Sequence, residues 1–266
     1  MNTALTIIAL AAFGLIFGSF INALVWRMHN KRNWVSERSE CPHCHHVLEP
    51  KDLVPVLSYL ALKGKCRYCK KPIPDTPLAE LLLPAVWIVS YIFWPVQLQG
   101  AGLFQFIAWL VLWVGFIALF IYDLRWYLLP NKIVFPIVGL SAIQVLTMPL
   151  AFNYSWHTVL GAALGALALS GVFYLIFQMS DGKWIGGGDV KLAIALGLLA
   201  GDPLRAALLL FFASLIGTLA AMPQLIKNGL KTKTVVPFGP LLIAGLLLTQ
   251  LCGSAIISWY AGMIGY

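Results

Sequence analysis

The stretch LFQFIAWLVLWVGFIALFIYDLRWYLLP, residues 103–130, decides the fold. Residues 103–122 carry no charge and match the ~20 mostly apolar residues that one helical crossing of a bilayer requires. The run then stops at Asp123 and Arg125. A helix that is apolar all round has no water-facing side, so its neighbours must be lipid or other helices. The whole chain agrees. Of its 266 residues, 60% are hydrophobic and 11% charged, and the mean hydropathy is +0.85. A soluble domain draws about a quarter of its residues from Asp, Glu, Lys and Arg. The composition therefore excludes a soluble domain, a disordered chain, a coiled coil, a disulfide-rich secreted domain and a soluble nucleic-acid binder.

Outward from this run, further apolar stretches occupy 4–25, 78–97, 132–151, 157–179, 188–201, 204–224 and 238–262. The run at 188–201 is short, and Gly201-Asp202-Pro203 reads as the turn that separates it from the next. The expectation is an all-α polytopic membrane protein with about eight transmembrane helices; leaving out the short run gives seven. The first run has no basic segment before it and no small-residue cleavage pattern after it, so it reads as a retained helix rather than a cleaved signal.

Charge orients these runs. The segment 26–77 holds ten Lys and Arg residues; Arg125 and Lys132, Lys183 and Lys191, and Lys227, Lys231 and Lys233 fall in later connections on the same side. Only Arg205 of the 18 basic residues falls on the other side. The positive-inside rule makes the basic side cytoplasmic and the N-terminus external. The net charge of +8 thus reports orientation in a lipid bilayer, and no nucleic-acid partner is expected. Gly14-x-x-x-Gly18 and Gly161-x-x-x-Gly165 have the spacing that lets helix backbones approach closely.

The expected organisation is a first transmembrane helix at 1–26, a cytoplasmic zinc-binding loop domain at 27–77 and a transmembrane protease core of about seven helices at 78–266. The loop carries Cys41-Pro-His-Cys44 and Cys66-Arg-Tyr-Cys69. Each C-x-x-C turn offers two thiolates, and two such turns offer the four soft ligands of a tetrahedral Zn²⁺. A metal would supply most of the folding energy of so small a module. Two disulfides are the rival pairing, one that a reducing cytoplasm disfavours, and His43, His45 or His46 could replace one thiol. Four protein ligands leave no open position, so the ion would be structural. Cys252, alone in the last run, reads as a packing residue.

Three of the ten acids stand at helix ends: Glu80, Asp123 and Asp189. A carboxylate beside hydrocarbon is a functional hypothesis by default. The charge pattern sets Asp123 and Asp189 on the same face at similar depth. Two aspartates brought close share a proton, and the pair can activate water while polarising a peptide carbonyl. Gly186, Gly187 and Gly188 leave the backbone room for unusual dihedral angles and for the approach of an extended peptide. The plainer alternatives are a helix N-cap at Asp189 and an ion pair of Asp123 with Arg125 or Lys132. Lys191 reads either as a snorkelling side chain or as part of the active-site loop.

Several strings in order resemble the bacterial type IV prepilin peptidases (prepilin leader peptidase/N-methyltransferases). They are Phe17-Gly18-Ser19-Phe20-x-Asn22 with Arg27, the two C-x-x-C turns, Pro55-x-x-Ser58-Tyr59, Asp123 six residues before Leu129-Pro130, Gly186-x-Gly188-Asp189-x-Lys191, and Pro237-Phe238-Gly239-Pro240. The resemblance implies an intramembrane aspartic endopeptidase of the Gly-x-Gly-Asp type in the bacterial inner membrane. Its catalytic pair would be Asp123 and Asp189. Its substrates would be type IV prepilins and type II secretion pseudopilins, cut after a glycine where a basic leader leaves the membrane. Members with the cysteine loop also methylate the new N-terminus with S-adenosylmethionine, which implies that second activity here and makes Glu80 a candidate for supporting it. The chain departs from the family pattern at Leu53, at Asp75-Thr76-Pro77 before Glu80, and at Asn131. The alternatives that remain are therefore a peptidase without methyltransferase activity, or a membrane transporter with a regulatory zinc module.

Overall fold

The computed structural model describes residues 3–33, 37–152, 154–228 and 236–263; Lys231 and Lys233 of the charge pattern lie outside them. The described residues are helical apart from connections and two isolated β-bridges, Glu40 to Val47 and Lys65 to Pro72. They form two compact units, Met1–Pro95 and Val96–Tyr266.

The first unit contains α1 (Thr3–His29), a 3₁₀ turn (Pro50–Asp52), α2 (Leu57–Ala61) and α3 (Leu78–Ile92). Glycines set how α1 and α3 pack. A methyl group at Gly14 would lie 2.6 Å from Pro84 Cα, and one at Gly18 would lie 2.6 Å from Glu80 Cα. The two backbones therefore touch where side chains would otherwise hold them apart, and Phe17 packs on Trp87 beside the contact. This contact explains why α3 belongs to the unit of α1, whereas the sequence expectation grouped 78–97 with the later helices.

The second unit contains α4 (Ala101–Trp126), α5 (Asn131–Phe152), α6 (Trp156–Met179), α7 (Gly187–Ala200), α8 (Pro203–Asn228) and α9 (Phe238–Met263). All eight apolar runs are thus helices. Six of them, α1, α4, α5, α6, α8 and α9, are long and apolar enough to cross a membrane. The 15 residues of α3 and the 14 of α7 are shorter. At 1.5 Å per residue α7 extends about 21 Å, against a hydrocarbon thickness of about 30 Å.

The short helix is also the central one. Helices α5, α6, α8 and α9 all pack on α7, whose Leu192, Ala193, Ala195, Leu196, Leu199 and Ala200 are buried. Contact with four helices, with Ile194 left exposed, accounts for its lack of an amphipathic pattern. Its closest partner is α6, where the Gly161 and Gly165 pattern meets carbonyl groups of the helix opposite. A methyl group at Gly165 would stand 2.9 Å from the Gly197 carbonyl oxygen, and one at Gly197 would stand 2.5 Å from Ala166 Cα. The expected turn ends the helix: Gly201 takes φ 91°, which glycine adopts without strain, and Asp202 Oδ1 accepts the Arg205 N–H to start α8.

These contacts predict opposite signs for one substitution. Gly197→Ala should destabilise by about 1–3 kcal/mol through overpacking. Gly139→Ala in α5, where an added methyl meets nothing within 4 Å, should be neutral or stabilise by up to about 1 kcal/mol through helix propensity. Thermal unfolding in one detergent checks both: a lower midpoint for the first and an equal or higher midpoint for the second.

Candidate active site and metal centre

Asp123 occupies the last turn of α4, just before Tyr127 closes the helix in the left-handed conformation. It is 5% exposed. A carboxylate so enclosed needs a donor, and α9 provides it: the Gly239 N–H donates to Asp123 Oδ2 at 3.0 Å. Gly239 is the second residue of α9, so its amide is one of the four that a helix start leaves without an internal partner. The acid and the helix start satisfy each other, and the positive end of the helix dipole favours the arrangement. The contact requires glycine, because a methyl group at 239 would lie 2.8 Å from the same oxygen.

Asp189 stands in the first turn of α7, with Gly186 as the flanking N-cap residue. Its Oδ1 is buried and has no hydrogen-bond partner. The Asp123 and Asp189 carboxyl groups are close enough for their charges to interact. Helices α4 and α7 are not themselves neighbours; α5 and α9 pack against both. The acids do not pair with the basic residues that sequence reasoning offered as partners. Lys191 Nζ donates to Asn131 Oδ1 at 2.9 Å and lies over the Phe135 ring, which ties the start of α7 to the start of α5.

The expectation of unusual dihedral angles at Gly186, Gly187 and Gly188 is corrected by the structure. Gly186 is extended, at φ −73°, and none of the three has positive φ. Their small size serves close contact instead. A methyl group at Gly188 would meet Leu129 Cβ at 2.8 Å, and the same leucine reaches to 3.3 Å from the position of a methyl at Gly239. Leu129 is thus wedged between the glycine beside Asp189 and the glycine that holds Asp123. Sequence reasoning gave no role to Leu129 or Gly239; their only signal was their place in recurring strings.

In the first unit the four cysteines converge. The sulfurs of Cys41, Cys44, Cys66 and Cys69 all lie within 4.8 Å of one another, an arrangement that could bind a metal ion. The Cys41 and Cys69 sulfurs are 3.9 Å apart. Tetrahedral geometry with ~2.3 Å Zn–S bonds places sulfurs about 3.8 Å apart. The two C-x-x-C turns repeat one fold. Cys41 N–H donates to the His46 carbonyl and Cys66 N–H to the Lys71 carbonyl, and the residue after each second cysteine, His45 or Lys70, has positive φ. Each of the two β-bridges closes one turn. Burial alone would raise the Cys66 thiol, but the Cys69 and Tyr68 amides aimed at its sulfur bring it to about 7. Cys44 goes the other way. Despite the His46 amide, desolvation and the three neighbouring sulfurs push it up to about 11. Four thiolates at this spacing call for a cation. None of the three histidines joins the cluster: His45 meets Glu40, and His46 stacks on Tyr68.

Glu80 is buried, and its Oε2 accepts the Val56 N–H at 2.6 Å rather than pairing with a loop lysine. Val56 itself has φ 60°, a strained value for a β-branched residue. Asp52 fastens the loop. It accepts from Arg67 Nε at 2.6 Å and from the Tyr68 hydroxyl at 3.0 Å. Burial alone would raise its carboxyl, but these hydrogen bonds outweigh that and hold it below the usual range. Cys252 donates to the Leu248 carbonyl within its own helix, outside the cluster.

Comparison with known proteins covers both units. Residues 12–94 match the family model described as the bacterial peptidase A24 N-terminal domain, and residues 109–222 match that of the type IV leader peptidase family. A prepilin leader peptidase/N-methyltransferase of Bacillus subtilis is 34% identical over 253 residues, which is 94% of this chain and 96% of that protein. One of the same name from Pseudomonas aeruginosa is 30% identical over 278 residues, 95% of this chain and 92% of that protein. A type 4 prepilin-like proteins leader peptide-processing enzyme of Escherichia coli is 30% identical over 257 residues, 89% of this chain and 90% of that protein. No solved structure matches.

Because hydrogen bonds hold the Asp52 carboxyl down, its stabilisation is present above the ordinary carboxylate value of about 4 and is lost as pH falls through the lower folded value. Asp52→Asn should cost the loop about 1 kcal/mol at pH 7, a modest figure because Arg67 is part-exposed. Amide exchange in residues 41–70 should show the loss at pH 7, and the gap from the unsubstituted chain should close with acidification.

Proposed function

The chain belongs to the type IV leader peptidase family, and from that premise we propose that it removes the basic leaders of type IV prepilins and type II secretion pseudopilins and then methylates the N-terminal residue so exposed. The observation that carries the peptidase reading is the pair Asp123, bonded to the start of α9, and Asp189, in the first turn of α7, whose charges interact. In the proposed reaction one aspartate, ionised, takes a proton from water as the oxygen attacks the scissile carbonyl carbon. The other, protonated, hydrogen-bonds to the carbonyl oxygen as negative charge builds there. Collapse of the tetrahedral carbon breaks the C–N bond, and a proton passes to the leaving amine, which is the new N-terminus. Leu129, Gly188 and Gly239 keep the two carboxyl groups in register, and Lys191 with Asn131 anchors the start of α7.

Bilayer placement supports this substrate. Counting α3 and α7, eight helices alternate across the bacterial inner membrane, with the N-terminus outside and the cysteine loop and the aspartates at the cytoplasmic side. A prepilin is an apolar helix with a basic leader, and the same positive-inside rule keeps that leader cytoplasmic. Its cleavage site would come to rest at the boundary where Asp123 and Asp189 lie. Cys41, Cys44, Cys66 and Cys69 would hold a structural Zn²⁺, which neutralises their charge and fixes the fold of the loop. S-adenosylmethionine would supply the methyl group.

Three outcomes test this reading in purified protein given a prepilin and S-adenosylmethionine. Asp123→Asn or Asp189→Asn should lower leader removal by about 10³-fold or more, read by mass of the product N-terminus; normal cutting by either variant would remove the pair from the mechanism. Gly239→Ala should lower it on the order of 100-fold, since misplacement of a reacting group by about 1 Å has that effect. Metal analysis should find zinc in the intact chain and lose it in Cys66→Ser. Cleaved but unmethylated product from the intact chain would leave a peptidase alone.

A further inference from the structure

The first unit contains a cavity of ≈180 Å³ that the peptidase reading does not use. Ser19, Asn22, Ala23 and Trp26 form one wall, spaced as a single face of α1, and Glu80 of α3 lines it as well. Asn22 is nine-tenths buried, and its Oδ1 has no hydrogen-bond partner. Glu80 is equally buried. The Val56 N–H reaches its Oε2, and among the described residues no cationic side chain pairs with it. Gly18, one turn before Asn22, is where α1 touches Glu80, so Asn22 and Glu80 share one stretch of the α1–α3 contact. Glu80 differs from the other acids around the cavity. Glu40 is paired with Arg32 and His45, Asp52 with Arg67 and Tyr68, and Asp75 is engaged as well.

A carboxylate withdrawn from water is costly without a positive partner, and a buried carbonyl oxygen with no hydrogen bond calls for an N–H donor. A protonated amine answers both, with several donors on one positive charge. The rest of the lining describes the rest of the ligand. Trp26, Val54, Leu62 and Ile73 are apolar. The buried Arg27 is already engaged, with Ser39 Oγ at 3.2 Å among its partners, which gives no reason for an anion beside the amine. An ammonium next to an apolar side chain, with its carboxyl group tied up in a peptide bond, is the N-terminus of a chain that begins in an apolar segment. We propose that this cavity binds the pilin N-terminus that cleavage exposes, its ammonium held by Asn22 Oδ1 and the Glu80 carboxylate. The inference rests on the methylation reading above and names the acceptor subsite that reading requires. Size agrees: pockets that enclose a whole drug-sized molecule are about 300–1,000 Å³, so this one suits a terminal residue. In the transfer the ammonium gives a proton to Glu80. The amine lone pair then forms the new N–C bond to the methyl carbon of S-adenosylmethionine, the S–C electron pair stays on sulfur, and Glu80 passes its proton to solvent.

Calorimetry on the full chain in detergent tests this with two short peptides that begin at a pilin cleavage point: one with its free N-terminus, and a desamino form in which hydrogen replaces the terminal amino group. The unsubstituted chain should bind the free amine about tenfold tighter or more, the scale of a buried hydrogen bond to a charged group. Glu80→Gln keeps an oxygen for the Val56 amide but removes the charge, and should bring the two affinities together. Thermal unfolding shows whether that variant folds, and the comparison of the two peptides on the unsubstituted chain needs no variant at all. Saturating S-adenosylhomocysteine, which carries an ammonium of its own, should leave the preference in place; loss of the preference in that competition gives the subsite to the methyl donor and overturns the proposal. Equal affinity for both peptides, no binding of the free amine, or a preference that survives Glu80→Gln overturns it too. None of these touches the methylation reading, which the mass of the product N-terminus decides. An intact chain that cuts its prepilin and leaves the product unmethylated overturns that reading, and this inference with it.

Discussion

The Asp123–Gly239 hydrogen bond joins two structural needs that neither residue could meet alone. A carboxylate at the end of an apolar helix, 5% exposed, is costly unless a donor reaches it. The start of α9 has amides that no residue of its own helix can satisfy. Joining the two fixes α9 against α4, and the arrangement works only because residue 239 has no side chain. Leu129 then extends the constraint to Gly188 and so to Asp189. The position of one acid relative to the other therefore depends on two missing methyl groups and one leucine.

The central position of α7 follows from the same economy of side chains. A helix of 14 residues cannot reach across a bilayer core by itself, yet enclosed by four longer helices it has little need to face lipid. Gly197, Gly165 and Gly161 let α6 and α7 meet backbone to backbone, which offsets the loss of large apolar contacts with many small ones. Rigid packing of this kind suits the role proposed for Asp189, since a reacting group is most useful where its supporting backbone cannot shift.

Much of this was legible in the sequence, for identifiable reasons. Lipid imposes length and polarity so strictly that all eight helices could be read from apolar runs, and the turn at Gly201-Asp202-Pro203 from its residue types alone. The cysteine cluster was legible because metal ligation demands fixed spacing. The two acids were legible as carboxylates at the ends of apolar runs, where the structure has them in the last turn of α4 and the first turn of α7. What escaped were contacts between residues distant in the chain. Nothing local marks Gly239 as the donor to Asp123, 116 residues away, or Asn131 as the partner of Lys191. Glu80 was singled out as an acid near the membrane, but its partner, a backbone amide in a strained loop, has no sequence signature. Of the two properties read for the glycines before Asp189, the conformational freedom is unused, while the small volume of Gly188 is what Leu129 requires.

The proposed activities differ in what they ask of the molecule. Hydrolysis as proposed needs two carboxyl groups that interact, water and a strand of peptide; α4 and α7 carry the two acids and α9 holds one of them, within one compact unit. Methyl transfer needs a bound donor and a nucleophilic amine, and that amine does not exist until the peptide bond has been cut. The order of the two steps is thus imposed by chemistry rather than by any switch in the protein. On the proposed mechanism the acids at 123 and 189 would act on a carbonyl carbon and would have no use for a methyl donor. A metal that fixes the loop would fix Val56, Asp52 and the cavity wall they form. On this account a metal held by the four cysteines would shape the loop rather than act on the peptide bond.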